Sequence, residues 1–301
     1  MALVSFWQIL TMVILMAVGV LCYKLHIIDE ETSKRLSTLT LLVINPLVIF
    51  MSYLRPFETE LLSGLLAALA LSAVSFAASL AVAHVVYRNK GEKDHAVEKF
   101  ACVYSNCGFI GIPLVNGVVG PEGVFYLTAY ITMFNLLVWT HGIAVMSSTM
   151  TAAFMKKALA SPALIAVFAG FVFFIFNVPV PEFVQRPMSL LAGMNTPLAM
   201  IVAGIALSKS DLLKTLKNAS VYKLCFLRLV LAPAFAVAAA VFLDIPTVAA
   251  VAVIIGAGCP AAANVILFAN RYGKDHAYGA ELFAATTVLS MGTIPLLLMF
   301  I

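Results

Sequence analysis

Two stretches decide the fold, Asn106-Cys-Gly-Phe-Ile-Gly-Ile-Pro113 and Gly256-Ala-Gly-Cys-Pro-Ala-Ala-Ala-Asn264. Each lies inside an apolar segment long enough to cross a bilayer, and each places two glycines ahead of a proline. Because proline lacks an N–H but fits the start of a helix, we expect each helix to break and to restart at its proline. Broken backbone at membrane depth is tolerated only where protein buries it or a water-filled cavity meets it. Two matched breaks are therefore typical of a transporter's substrate site.

Composition places the chain in a lipid bilayer. Of its 301 residues, 63% are hydrophobic and 11% are charged, whereas soluble domains carry about 25% charged residues. We therefore predict an all-α polytopic membrane protein. The basic residues behind the net charge of +4 are spread over loops, without a patch interleaved with aromatic residues, so no nucleic-acid partner is expected. The N-terminus lacks the basic region of a cleaved signal peptide and is predicted to be a retained first helix.

Ten apolar segments are predicted to span the membrane, since a span needs about 20 apolar residues. They are residues 4–24, 35–54, 61–87, 97–119, 122–147, 161–178, 187–207, 221–243, 246–270 and 277–300. The longest predicted connections, 88–96, 148–160 and 208–220, leave no room for a soluble domain. No nucleotide-binding motif is present, so ATP is not expected to drive this chain alone.

The basic residues also predict the orientation. Of the 18 lysines and arginines, 15 fall in or beside connections that follow odd-numbered helices, whereas Arg55 and Arg186 fall on the opposite side. The positive-inside rule therefore predicts that the odd connections are cytoplasmic and that both termini are extracytoplasmic, in the cell inner membrane. The remaining basic residue, Arg228, lies within helix 8.

Proline signals recur at an offset of roughly 150 residues, which is half the chain. Asn45-Pro46 is predicted to break helix 2, and Asn195-Thr-Pro197 to break helix 7, as Pro113 and Pro260 break helices 4 and 9. Five helices per half is an odd number, so the second half enters the membrane the other way up. We predict an inverted 5+5 repeat of residues 1–150 and 151–301, with helices 4 and 9 broken at matching places.

The residues of both breaks, followed by Arg271-Tyr-Gly273, resemble the auxin efflux carrier family of transporters. Bacterial members of that family are often described as malonate or other organic-anion permeases. The short connection between helices 5 and 6 makes the chain similar to the compact bacterial branch, because long plant carriers have a large cytoplasmic insert there. Plant members also tend to carry paired prolines where this chain has Cys259-Pro260, which counts against auxin itself as the substrate.

The resemblance implies that different helices have different roles. Helices 4 and 9 are expected to cross at their breaks. Helices 1, 2, 6 and 7 are expected to form a scaffold, and helices 3–5 and 8–10 a moving unit. A homodimer is the assembly that the resemblance implies.

Two half-helices that restart near mid-membrane predict an anion site. Each start exposes free N–H groups and about half a positive charge, and two such ends suit a carboxylate without a buried lysine. The candidate substrate-binding residues lie in or beside the breaks: Asn106, Gly111, Pro113, Asn116, Cys259, Pro260, Asn264, Asn45 and Asn195. Each asparagine has a competing structural interpretation, a hydrogen bond across the broken backbone, and for Asn45 and Asn195 capping of the helix 2 and 7 breaks is favoured.

Ionisable residues inside spans are candidates for coupling or gating. Arg228 could snorkel to the interface, pair with Glu281, or meet the anion. His141 could carry a proton, although a hydrogen-bonded structural histidine is favoured. The five cysteines have no metal-ligand spacing with histidine, so neither a metal site nor a cofactor is expected.

The leading interpretation is a secondary transporter that moves a small mono- or dicarboxylate by alternating access with an elevator-like motion, coupled or not to a proton or to sodium. One alternative is a sodium-coupled bile-acid-type symporter, although the breaks carry asparagine and no acid. Another is a ligand-sensing membrane protein on a transporter fold. An enzyme is disfavoured, because the ionisable residues are scattered over several helices without a catalytic motif.

Overall fold

The computed structural model describes residues 2–88, 95–147, 159–208 and 218–299. These ranges are helical, and their one pairing of β type is an isolated bridge between Ser105 and Ala261. Seven helices within the described residues are long and apolar enough to cross a membrane, and two further apolar helices, Pro162–Ile175 and Thr247–Gly258, are shorter. This is the architecture of a polytopic all-α membrane protein, while the count of ten spans stays a prediction.

The helices of the first half are α1 (Ala2–Lys24), α2 (Glu30–Leu39), α3 (Asn45–Ser52), α4 (Thr59–Val86), α5 (His95–Val103), α6 (Ile112–Leu137) and α7 (Ile143–Ser147). Those of the second half are α8 (Pro162–Ile175), α9 (Glu182–Gly193), α10 (Asn195–Ser208), α11 (Ala219–Phe226), α12 (Ala232–Phe242), α13 (Thr247–Gly258), α14 (Asn264–Arg271) and α15 (His276–Leu297). Four described π-helical turns run directly into the next helix, Thr40–Ile44, Cys107–Gly111, Val138–Gly142 and Leu227–Leu231. The predicted connections 88–96, 148–160 and 208–220 lie largely outside the described residues.

The proline of helix 2 widens the helix instead of breaking it. Pro46 has no N–H for the carbonyl four residues back, and its ring crowds that carbonyl. The π turn Thr40–Ile44 accommodates this defect, because its bonds reach one residue further back: the N–H of Asn45 donates to the carbonyl of Thr40. The helix therefore runs without interruption from Glu30 to Ser52, and the predicted break at Asn45-Pro46 is wrong.

Helix 7 is interrupted as predicted. Helix α9 ends at Gly193, and α10 begins at Asn195. Pro197 then falls in the first turn of α10, where a missing N–H does no harm.

Gly120 divides the long helical run after the first break. That run, Cys107–Ser147, has 41 residues, and at about 1.5 Å per residue it would measure about twice the hydrocarbon thickness of a bilayer. Gly120 has φ 75° and ψ −168°, a conformation outside the helical region that side chains disfavour. The chain therefore changes direction at Gly120-Pro121, where the sequence predicted the end of helix 4.

The first helix packs closely against α10. A Cβ on Gly19 would overlap the carbonyl oxygen of Ile201, and one on Gly204 would overlap that of Met16. Only glycine allows the two backbones to approach this closely, as is common between membrane helices. Helix α3 packs in the same way against α8, so helices from the two halves of the chain are joined.

The core of the molecule surrounds α13. Every residue from Ala249 to Gly258 is buried, and α13 packs against α6, α12 and α4. A helix that is apolar and buried on all sides lies inside a bundle. The end of α13 therefore brings the second break to the centre of the protein.

Candidate functional site

The two broken helices meet at their breaks, as predicted. The predicted restarts at the prolines are wrong, because helical structure resumes at Cys107, ahead of Pro113, and at Asn264, beyond Pro260. Ser105 and Ala261 pair in antiparallel fashion. The N–H of Asn106 donates to the carbonyl of Pro260 at 2.8 Å, and the N–H of Ala262 donates to the carbonyl of Tyr104 at 2.8 Å. Backbone that would be unpaired in a single broken helix is thus satisfied by the other one, which is the condition for breaking a helix at this depth.

One buried arginine binds the C-terminal carbonyls of both helices that precede the breaks. Arg228 is fully buried. Its Nη1 donates to the carbonyls of Cys102 and Val103 at the end of α5, at 3.1 and 3.2 Å. Its Nε donates to the carbonyl of Cys259 at 3.1 Å, and its Nη2 donates to that of Ala257, at the end of α13. The guanidinium therefore ties together two chain segments more than 100 residues apart.

None of the three expectations for Arg228 describes this arrangement. Snorkelling is wrong, because the side chain is fully buried. Pairing with Glu281 is wrong too, because Arg228 donates four hydrogen bonds to backbone carbonyls, and its side-chain neighbour is the hydroxyl of Tyr130. The guanidinium is also absent from the described lining of the cavity beside the crossing. Sequence spacing suggested a side-chain partner, whereas the actual partners are created by the crossing itself.

The helical segments that follow the two breaks present their free N–H groups at the same place. After the first break the helical ladder begins with the N–H of Ile110 donating to the carbonyl of Asn106 at 3.0 Å. After the second break it begins with the N–H of Val265 donating to the carbonyl of Ala262 at 3.0 Å. The N–H groups ahead of these bonds have no acceptor on their own helix, so each end carries partial positive charge.

A cavity of about 260 Å³ adjoins these two helix starts. Gly108 of the first break and Asn264 of the second belong to its wall, and Asn45 of helix 2 faces them. A Cβ on Gly108 would lie 3.5 Å from Nδ2 of Asn45, so the small residue brings the asparagine close to the helix start. The rest of the described wall is formed mainly by apolar side chains, which include Leu41, Leu42, Ile49, Ile112, Ile131, Phe134, Trp139, Pro162, Leu267 and Phe268.

Polarity in this wall comes from uncharged groups. Among the described lining residues none is Asp, Glu, Lys, Arg or His. The carboxamide oxygen of Asn45 is buried and has no hydrogen-bond partner. Buried polar atoms are normally paired, and one that is not often marks a place where a ligand or water binds. Asn45 therefore does not cap the helix through its oxygen. A ligand bound in the cavity would supply the missing hydrogen-bond partner of that oxygen.

The predicted site residues divide into three groups. Asn45 and Asn264 line the cavity. The others that the structure places near the crossing build it and are not part of the cavity wall: Asn106, Gly111, Pro113, Cys259 and Pro260. A Cβ on Gly111 would lie 3.4 Å from Sγ of Cys259, so these residues pack the two breaks against each other.

Two predicted asparagines lie elsewhere. Asn116 is exposed and not in the cavity wall. Asn195 is buried at the start of α10, where its carboxamide oxygen has no partner, and it does not line the cavity either. Asn116 follows Pro113 by three residues, and this part of α6 lies outside the cavity wall.

His141 has the structural role that was favoured. Its Nδ1 lies 2.9 Å from the hydroxyl of Tyr104, which itself donates to the carbonyl of Leu137 at 2.9 Å. The hydroxyl thus accepts from the histidine and donates to the backbone of the π turn region. His141 fixes α6 and α7 to the end of α5.

The sequence analysis missed three lining residues with polar side-chain groups, Asn135, Trp139 and Ser161. A signal was available for two of them. Ile131, Asn135 and Trp139 recur every four residues and share one face of a helix, so an amide on that face of an apolar span could have been singled out. Ser161 caps α8 by accepting a bond from the N–H of Leu164, which conceals its second role in the cavity wall.

A buried carboxylate was also missed. Glu98 on α5 is 5% exposed, and it accepts a hydrogen bond from the hydroxyl of Tyr278 at 2.7 Å. His95 lies 4.0 Å away on the same helix. An acidic residue within a predicted span is an available signal, but Glu98 sits at the edge of helix 4 and resembled a loop residue.

Comparison with known proteins identifies the family. The sequence model of a family described as membrane transport protein matches residues 4–152 and 143–298, which is nearly the whole chain. The chain belongs to the auxin efflux carrier family of transporters. A relative from Methanothermobacter thermautotrophicus, described as an uncharacterized transporter, is 24% identical over 292 residues, which cover 96% of this chain and 95% of the relative.

Membership of the auxin efflux carrier family agrees with the resemblance found at the breaks. It points to a multi-pass membrane transporter rather than to an enzyme. The residues that carried the resemblance are those at the crossing, where Arg228 holds the helix ends and Asn264 lines the cavity.

Proposed function

We propose that this protein is a secondary transporter that moves a small organic anion across the membrane by alternating access. The observation that carries the proposal is the meeting of two helix N-termini and the amides of Asn45 and Asn264 at one cavity whose described lining residues are all uncharged. Helix N-termini are ready-made anion sites, because free N–H groups and the helix dipole both favour negative charge. Family membership supports transport as the activity.

The wall of the cavity favours a monocarboxylate with an apolar body. The polar lining residues Asn45, Asn264, Asn135 and Ser161 are uncharged, and most of the other described lining residues are aliphatic or aromatic. The second carboxylate of a compact dicarboxylate would lose its water against this surface without gaining a charged partner. Burial of an unpaired charge costs several kcal/mol, whereas burial of an apolar body is favourable.

The position of the cavity supports an inward-facing conformation. Its lining residues Leu41, Ser161 and Phe268 lie in sequence beside the connections that carry most of the basic residues, and those connections are predicted to be cytoplasmic. At the opposite end, Tyr53, Phe125 and Phe174 pack together with ring centroids 4.9 to 6.5 Å apart. A cavity near one membrane surface, separated from the other by packed rings, is the arrangement that one half of an alternating-access cycle requires.

The architecture that we propose keeps the ten spans and the inverted repeat of residues 1–150 and 151–301. The close packing of α1 against α10, and of α3 against α8, supports a scaffold built from helices 1, 2, 6 and 7. Helices 3–5 and 8–10 would then carry the crossing past this scaffold in an elevator-like motion. We further propose a homodimer in the cell inner membrane with both termini extracytoplasmic.

The proposal is tested by flux into proteoliposomes that contain the purified protein. The probes are phenylacetate, malonate and malate, together with phenylacetamide as the neutral counterpart of phenylacetate. We expect saturable uptake of phenylacetate, weaker uptake of the two dicarboxylates and no saturable uptake of the amide. Variation of pH, sodium and voltage one at a time then identifies the coupling ion. Absence of saturable flux for every carboxylate would contradict the proposal.

Asn264 provides a matched test of the site. We expect Asn264→Ala to lower the kcat/KM for phenylacetate by about tenfold or more, because hydrogen bonds to charged groups contribute about 1.5–3 kcal/mol. Asn116→Ala is the control, since Asn116 is exposed and outside the cavity wall. Equal uptake by both variants would show that the substrate binds elsewhere.

A further inference from the structure

The counter-charge of Arg228 is formed by backbone. Arg228 donates four hydrogen bonds to carbonyls at the ends of α5 and α13 or directly after α13, and the neutral hydroxyl of Tyr130 lies beside it. A buried charge without a partner is costly. Each helix C-terminus carries about half a negative charge, so the two ends together balance one guanidinium.

This balance affects the cavity, because positive and negative helix ends lie side by side at the crossing. The carbonyls of Val103 and Ala257 belong to the negative ends. The N–H groups of Asn106 and Ala262, between these and the positive ends, donate to the carbonyls of Pro260 and Tyr104 and hold the two breaks together. Without a cation, the two negative ends would cancel much of the positive potential of the two helix starts, and the cavity would have little preference for an anion.

We infer that Arg228 is a positioning residue that makes the cavity selective for anions. Arg228 neutralises the C-termini of the helices that precede the breaks. The electrostatic potential in the cavity is then set by the N-termini of the helices that follow the breaks. Their combined charge, about one positive charge from two half-charges, matches a single carboxylate. Arg228 does this without contact with the substrate, since it is absent from the described cavity lining. The inference rests on the proposed function, because it assigns an anion to the cavity.

The geometry explains why the residue is arginine. The guanidinium is a planar fork with five N–H donors, and it stays charged when buried. Here the fork reaches carbonyls on two separate segments, Cys102 and Val103 on one side and Ala257 and Cys259 on the other. A lysine has three donors on one nitrogen, so it supplies the charge but cannot span both segments.

The test compares the dissociation constants of phenylacetate and phenylacetamide for the full-length protein in lipid. We expect Arg228→Gln to weaken phenylacetate binding by about tenfold or more and phenylacetamide binding by less than about twofold, because only the carboxylate senses the lost charge. Arg228→Lys should give an intermediate result and carries the test if the glutamine variant does not fold. Lys223→Gln, with the same charge change on the same long helix, should leave both constants unchanged.

Hydrogen exchange without ligand provides a readout independent of the proposed function. We expect the N–H groups of Asn106 and Ala262 to exchange faster in Arg228→Gln than in the wild type. An equal loss of affinity for the acid and the amide, or no loss for either, would overturn the inference. If the wild type binds neither probe and transports no carboxylate, the proposed function fails, and unchanged exchange in the variant would remove the positioning role as well.

Discussion

Asparagine supplies polarity at the cavity without fixed charge. An amide offers two N–H donors and one acceptor, and at the centre of a bilayer it costs less than a lysine or an arginine. Asn45 and Asn264 both line the cavity, and the oxygen of Asn45 has no partner. Together with the helix starts, these amides can hold a carboxylate and release it again.

A reversal of charge at Asn45 tests this assignment. We expect Asn45→Asp to abolish measurable binding of phenylacetate, because a carboxylate in the wall would repel the ligand and would occupy the same helix starts. Binding of phenylacetamide should fall far less. The control is Asn116→Asp, which places the same charge at an exposed position outside the cavity. Unchanged phenylacetate binding in Asn45→Asp would place the anion site elsewhere.

At the scale of helices, proline has two different outcomes in this protein. At Pro260 the helix stops, because a second broken helix supplies partners for the freed backbone through the bonds of Asn106 and Tyr104. At Pro46 no such partner is available along the helix, and a π turn takes up the defect. Proline thus fixes where the helix must change, and the neighbouring chain decides how.

Gly120 permits a sharp change of direction that an alanine would disfavour. We expect Gly120→Ala to lower the free energy of unfolding by about 1–3 kcal/mol, because its φ of 75° and ψ of −168° form a region populated almost only by glycine. The measurement is thermal unfolding in detergent. Gly193→Ala is the matched control: no atom lies within 4 Å of a Cβ at either position, and Gly193 has no positive φ. Equal midpoints for both variants would contradict the strained turn.

For the whole molecule, the closed end is held by contacts between helices of the proposed scaffold and the proposed moving unit. The hydroxyl of Tyr53 lies 2.6 Å from Oγ1 of Thr128, which donates to the carbonyl of Phe125 at 2.6 Å. The guanidinium of Arg55 lies 5.0 Å from the ring centroid of Phe125. These contacts must separate before the cavity can open to that side.

Removal of the Tyr53 hydroxyl should therefore favour the opposite conformation. One hydrogen bond contributes about 1 kcal/mol, so we expect Tyr53→Phe to raise the outward-facing population about fivefold. The measure is the rate at which an impermeant thiol reagent added outside modifies Cys107, a buried cysteine in the cavity wall. The partly exposed Cys22 is replaced by serine in all samples.

Tyr126→Phe is the control for this experiment, because the hydroxyl of Tyr126 is hydrogen-bonded to Glu122 on its own helix and its removal leaves the Tyr53–Thr128 bond intact. Its rate should equal that of the parent. Equal modification of Cys107 in Tyr53→Phe and in the parent would show that this contact does not hold the outer end closed.

The sequence by itself determined the membrane class, the two central breaks and the turn at Gly120-Pro121. These features follow from local causes: the length of apolar segments, the missing N–H of a proline and the freedom of a glycine. Such causes act within a few residues, so they can be read without knowledge of what the segment packs against. The same local rules also pointed to asparagines as candidate ligands.

Only the tertiary structure decided which candidates face the cavity. Asn45 and Asn264 do, while Asn116, only three residues beyond Pro113, does not. Arg228 likewise found its partners in carbonyls that become free only because two distant helices break side by side. The physical reason is that a broken backbone creates donors and acceptors whose positions depend on the crossing of whole helices, and no spacing along the chain encodes that crossing.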